Sequence, residues 1–249
     1  ENVRNLIINE IKDCADDIKT DNLGNLIVFK KGKKSAKSKL MVSAHMDEVG
    51  LMVTDITSDG YLKFDEVGGI DRRVLPGKRV CVGRNGLNGV IGVKPIHLTN
   101  GDEKTAVPKM NDMYIDIGAE SREDALKYVN YGDGINFEGD FKINGKTVVT
   151  KALDDRFGCY VLINLIKSEP EYDMYFTFVV QEEVGLRGAR SAAFTVNPDF
   201  ALVIESTTAA DVAEVDVSHQ VCNLSKGATV TVMDLSLIHI SEPTRLGMI

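Results

Sequence analysis

The residues whose types and spacing could do chemistry are carboxylates and one histidine: Asp154-Asp155, His45 with Asp47 two positions on, Glu182-Glu183, and Glu205. Each follows the end of an extended, largely apolar or β-branched run. Imidazole and carboxylate together make a donor set for divalent cations, with zinc and cobalt favoured and manganese possible on ligand type. On an extended backbone His45 and Asp47 point to the same side, so the carboxylate can accept a proton from one ring nitrogen and leave the other for a metal. Adjacent glutamates on such a backbone face opposite ways, so Glu182 and Glu183 can divide two tasks, one ligating an ion and one reaching for a substrate. An Asp-Asp pair alone is more often a surface turn or helix start. With His45, Glu183 and Glu205 for company, Asp154 becomes a candidate to bridge two ions.

These groups need elements to aim them. Lys39 to Ala44 is a short apolar run ending at His45, as expected of a central strand buried on both faces. Thr147 to Thr150 is a β-branched strand leading into the Asp-Asp pair, and the helix after it carries Phe157, Tyr160, Val161, Ile163, Leu165 and Ile166. Met174 to Val180 reads as an apolar strand before Glu182, Arg187 to Phe194 as a helix, and Phe200 to Ile204 as one more buried strand before Glu205. Alternating strands and helices with a ligand at successive strand ends form a parallel-sheet pattern, in which four strand ends converge on one edge.

The rest of the chain frames that core. Residues 1 to 18 place Val3, Leu6, Ile7, Ile11, Cys14 and Ile18 at helical spacing. Asp21 to Asn25 is a turn cluster, Leu26 to Phe29 a strand, Lys30 to Lys37 a solvated basic loop, and Val49 to Ile56 a further strand. From Ser58 to Gly145 short extended runs alternate with glycine-bearing turns: Tyr61 to Val67, Arg79 to Val82, Gly89 to Lys94 and Met113 to Ile117. A helix over Ser121 to Val129, capped by Ser121, interrupts them. This stretch holds no cluster of ligands or nucleophiles, and its His97 reads as an ordinary turn histidine. The expected fold class is α/β, a mostly parallel central sheet flanked by helices with an inserted small β-barrel-like domain. The α/β domain takes residues 1–57 and 146–234, and the insertion residues 58–145.

The 249 residues are 43% hydrophobic, enough for one large core or two. A net charge of -8 disfavours nucleic acid and anionic membrane as partners. No run of about 18 apolar residues occurs, and the first residues lack the basic and apolar regions of a secretory signal, so the cytoplasm is the expected location. Four scattered cysteines, Cys14, Cys81, Cys159 and Cys222, lack metal-knuckle spacing and read as small buried hydrophobes.

Taken together, SAHMDEVG (Ser43 to Gly50), VGGID (Val67 to Asp71), LPGKRV (Leu75 to Val80), KALDDRFGC (Lys151 to Cys159), VQEEVGLRGA (Val180 to Ala189) and ALVIESTTAAD (Ala201 to Asp211) resemble the glutamyl-aminopeptidase and tetrahedral-aminopeptidase family of dinuclear metallopeptidases. Some members carry the label cellulase or endoglucanase M. The resemblance implies a zinc-peptidase-like fold and two divalent ions, with His45 and Glu205 on one, Glu183 on the other and Asp154 bridging. Glu205 stands where members often have Asp. It further implies Asp47 as the group that orients His45, Glu182 as general base, and a cis Asp-Asp peptide. Substrates would be peptides with a free N-terminus, and the insertion would build homo-oligomers from dimer to dodecamer.

The resemblance stops at Asp234. Residues 235–249 look like an in-frame translation of a sequencing-library adapter, so His239 is not assigned the role of the late histidine that family members use for the second ion. On that expectation the chain is the middle of a longer one, one ion site has all three ligands, and activity is weak or absent. The alternatives are a non-catalytic assembly module and a glycan hydrolase.

Overall fold

The computed structural model describes residues 1–101, 106–209, 211–220 and 222–230; the 235–249 tail and His239 lie outside them. The chain forms two units, Glu1–Ser206 and Thr207–Ile249. In the second, Asp216 accepts a hydrogen bond from the Ser218 amide and caps the short 3-10 turn Val217–His219.

The first unit opens with helix α1 (Asn2–Ile11), which buries Ile7 and Ile11 one turn apart. The helical spacing extends to Ile18, but the helix ends at Ile11, whose carbonyl takes the amides of both Cys14 and Ala15. Strand pairing wins beyond that point. Asp16 N donates to Phe29 O, and Ile18 sits opposite Val28 in the antiparallel pair of β1 (Asp17–Thr20) and β2 (Leu26–Lys30).

The buried strand β3 (Leu40–His45) follows. The next strand, β4 (Gly50–Ile56), departs from the expected assignment to the α/β domain. It closes a barrel with β5 (Leu62–Val67), β6 (Arg79–Val82), β7 (Leu87–Val93), β8 (Met113–Asp116) and β9 (Gly134–Phe137), in the order β4-β5-β8-β7-β6-β9. Its pattern explains the difference: Leu51 and Val53 are buried while Met52 and Thr54 are exposed, the period-two signature of a sheet with one wet face. A register shift between Val53 and Asp55 returns Ile56 to the barrel interior, where it packs with Phe64, Val80, Ile91, Met113 and Ile135. The expected helix at 121–129 is shorter, α2 (Arg122–Ala125), with Ser121 Oγ accepting from Asp124 N at 3.2 Å. His97 lies exposed in the 3-10 turn Ile96–Leu98.

Strands β10 (Lys142–Asn144) and β11 (Thr147–Val149) pair with each other as an antiparallel ribbon. The run before the Asp-Asp pair therefore lies outside the main sheet, and three sheet strands, not four, end at the site. After α3 (Leu153–Lys167) come β12 (Met174–Val179), α4 (Arg187–Val196) and β13 (Phe200–Val203). The five-stranded sheet runs β1-β2-β12-β3-β13. It is mixed, where a mostly parallel sheet was expected: β3 is parallel to β12 and β13, whereas β12 is antiparallel to β2 and β2 to β1. The loop between β2 and β3 is too short to hold the crossover helix that would make them parallel. One core joins Ile7 and Ile11 of α1 and Leu162 and Ile166 of α3 to Val28, Val42, Phe176 and Phe178, and a smaller cluster sets Val196 of α4 against Ile27 and Met41.

Candidate metal centre

Register brings the site together. His45 pairs with Val179 and Ser43 with Val203 in parallel ladders, which continue as Met46 N to Val179 O at 2.7 Å and Ile204 N to Ser43 O at 2.8 Å. Glu182 and Glu183 therefore leave one neighbour of β3 and Glu205 the other, all at the end that carries His45. That is where parallel strands present chemistry.

His45 is buried and held by its backbone. Its amide donates to Asp155 Oδ2 at 3.2 Å, and its carbonyl accepts from Cys159 Sγ at 3.0 Å. Burial, with Asp155 next, pushes the Cys159 thiol up to about 12, so it keeps its proton for that bond. Burial also raises Asp155, to about 6, against the amides of Gly158 and His45 that favour its charge. A Cβ at Gly158 would overlap the Asp155 carboxylate, so this turn needs glycine.

The His45 Nε2 atom faces three carboxylates: Asp154 Oδ1 at 2.8 Å, Glu205 Oε1 at 3.6 Å and Glu182 Oε2 at 3.8 Å. Burial works against a charged ring, yet Asp47, Glu205 and Asp154 outweigh it and carry His45 up to about 10. Asp154 opens α3 with extended torsions, Ala152 before it has φ 52°, and the Asp154–Asp155 peptide is cis, the geometry the family resemblance implies.

Asp47 was expected to orient the imidazole. The nearest acceptor to His45 Nδ1 is instead the Asp47 carbonyl, at 3.1 Å, with the carboxylate at 3.6 Å. The carboxylate takes the amides of Glu182 and Glu183, both at 3.1 Å, and thereby fixes the glutamate pair. Burial raises Asp47, but His45 and these two amides more than compensate and lower it. Burial and the charge of Asp154 raise Glu183, while burial, with Asp155 and Asp154 nearby, raises Glu205 well above the usual carboxylate range despite the Ser206 amide.

Among the described residues, two groups of donor atoms each lie within 4.8 Å of one another: His45, Asp154 and Glu205, and His45, Glu182 and Glu183. The first is the expected ligand set. The second differs from the expected pair of Asp154 and Glu183, which share a cavity of about 320 Å³ walled by Val49, Phe137 and Lys151. Glu48 bridges Lys151 at 2.9 Å and Arg156 at 3.5 Å beside that cavity. Asp155, whose carboxylate accepts the His45 amide, is visible in the sequence only as the partner of Asp154.

The M42 glutamyl aminopeptidase family matches residues 24–244, ten residues past Asp234, where the resemblance was expected to stop. A relative from Acetivibrio thermocellus is 46% identical over 248 residues, 99% of this chain and 72% of its own length. Among solved structures, an aminopeptidase from the archaeon Desulfurococcus kamchatkensis superposes with a TM-score of 0.84 at 36% identity, covering 91% of this chain. The TET1 peptidase of Pyrococcus horikoshii, which can assemble into a tetrahedron or a large octahedral shell, superposes with a TM-score of 0.74 at 44% identity over 86% of this chain. The chain spans 63% and 66% of the length of those two structures. With most of its length matched and its fold shared, the chain belongs to the M42 glutamyl aminopeptidase family.

Proposed function

We propose that the protein is a metal-dependent aminopeptidase whose ions lie where β3, β12 and β13 end. The observation that carries this reading is the set of three carboxylates, from three segments distant in sequence, within 2.8–3.8 Å of His45 Nε2. The donors fit divalent cations: one imidazole and several carboxylates at ligand-sharing separation, with Glu183 and Glu205 raised by burial and then by neighbouring carboxylates, a cost that a cation would relieve.

In this reading His45, Asp154 and Glu205 would hold one ion and Glu183, with Asp154 shared, would help to hold a second, with zinc or cobalt favoured and manganese able to substitute. Bound there, the ions would supply Lewis acidity that polarises a scissile carbonyl and lowers the pKa of water. Glu182 is the general base, taking the proton from attacking water and returning it to the leaving amine. Asp47 holds the Glu182 amide and so limits where that carboxylate can reach. The substrates are peptides with a free N-terminus. The shell-forming TET1 relative supports a homo-oligomer, with the barrel of β4 to β9 as the assembly domain.

The test is hydrolysis by the full-length protein. Aminoacyl-nitroanilides should be cleaved, activity should vanish on chelation and return with zinc or cobalt, and carboxymethylcellulose should remain intact. Chelator-insensitive cleavage, or hydrolysis of the cellulose alone, would overturn the reading.

A further inference from the structure

The loop that carries Glu182 and Glu183, residues 181–187, leaves β12 and enters α4, and a single side chain from elsewhere holds both of its ends. Asn25, just before β2, is 0% exposed. Its Oδ1 accepts from Val180 N at 2.9 Å, and its Nδ2 donates to Gly188 O at 3.0 Å and Asp21 Oδ2 at 2.7 Å. Val180 N can only donate and Gly188 O only accept, so these partners require a carboxamide. A carboxylate would lack the donor, and an aliphatic residue would leave both loop ends unpaired in the interior.

The surrounding geometry is closed. Gln181 and Leu186 both have φ 57°, and Gly185 N and Leu186 N both donate to Glu182 O at 2.9 Å. A Cβ on Gly188 would overlap the Val180 carbonyl oxygen, so the ends meet only because that residue is glycine. Asn25 is itself fixed by Asp21, whose Oδ1 takes the amides of Leu23, Gly24 and Asn25 and whose Oδ2 also takes Ser191 Oγ at 2.9 Å.

We propose that Asn25 is a positioning residue: its carboxamide clasps the two ends of loop 181–187 so that Asp47, gripping the middle, can present Glu182 and Glu183 to the metal centre. The catalytic consequence rests on the reading of Glu182 as base; the clasp itself does not.

The experiment uses the full-length protein and three variants, Asn25→Ala, Asn25→Asp and Ser191→Ala, the last touching Asp21 but neither loop end. Hydrogen–deuterium exchange of the metal-free proteins should show peptides spanning 180–187 exchanging about tenfold faster in both Asn25 variants, as loss of one or two internal hydrogen bonds implies. Peptides from β3 and the barrel should be unchanged, and Ser191→Ala should match wild type throughout. In the metal-loaded proteins kcat should fall about 10–100-fold in the Asn25 variants with KM and metal affinity nearly unchanged, the signature of a displaced group. Unchanged loop exchange, or exchange rising equally across the sheet, would overturn the clasp. A loosened loop with normal kcat would overturn the positioning role, and Glu182→Gln then reports whether the reading of Glu182 failed with it.

Discussion

Asp47 shows how much one side chain can do that spacing alone does not reveal. Two residues from His45, its carboxylate lies 3.6 Å from Nδ1 and helps to raise the ring's pKa, while the same carboxylate accepts the amides of Glu182 and Glu183 and the Asp47 carbonyl sits closer to the ring, at 3.1 Å. The ligand candidates were legible because carboxylates and a histidine after apolar runs are conspicuous. Asn25 was not, since a buried asparagine and a turn asparagine have the same letter, and only the fold brings Val180 and Gly188 to it. Two predictions belong at this scale. Glu182→Gln should keep metal affinity while lowering kcat about 10²–10⁴-fold, the usual loss for a general base; parallel loss of metal would instead make Glu182 a ligand, as its place beside His45 and Glu183 permits. Burial raises the pKa of Asp21, but bonds from Ser191, Asn25 and Gly24 outweigh it and hold the carboxylate below its ordinary value of 3.8. A depressed folded value means its stabilisation is complete above 3.8 and is lost as pH falls through the folded value. Asp21→Asn should therefore cost about 1–3 kcal/mol near neutral pH, with the gap to wild type closing in denaturation curves taken below about pH 4.

At the scale of elements, the strands that lead to His45, Glu182 and Glu205 are all readable as apolar runs, but only β3 and β12 are largely buried; β13, with the same composition, is an exposed edge strand and not the buried one expected. Strand partners were not readable. Thr147 to Val149 has a strand's composition, but nothing local says that it pairs with Lys142 to Asn144 and not with the main sheet. Val49 to Ile56 was placed in the α/β domain although its alternation already matched the barrel's one buried face. The β12 strand also carries a flaw in its packing. Thr177 is 0% exposed between Ile27 and Ser43 on the neighbouring strands, and its hydroxyl has no partner among the described residues. Thr177→Val keeps the shape and removes the stranded hydroxyl, so it should raise the urea midpoint by the equivalent of about 1 kcal/mol with an unchanged slope. A lowered midpoint would mean that the hydroxyl is satisfied in solution.

At the scale of the whole molecule, two large hydrophobic cores among the described residues divide the labour. One packs α1 and α3 on the sheet that aims the ligands, and the other fills the barrel, whose strands contribute none of the candidate ligands. The barrel announces itself as a change in texture near residue 58, because glycine-bearing turns at short intervals are what a small barrel needs, but its first strand, Gly50–Ile56, precedes that point. Among the described residues no helix is long and apolar enough to cross a membrane. In the proposed reading Asp154 is the residue that both ions would share. Zinc binding by calorimetry to the metal-stripped full-length protein and to its Asp154→Asn variant tests that most directly. The account predicts two ions in the wild type, and in the variant an affinity lowered more than about 100-fold at both sites, beyond the usual cost of losing an outer-shell partner. Undiminished binding of two ions by Asp154→Asn would contradict it.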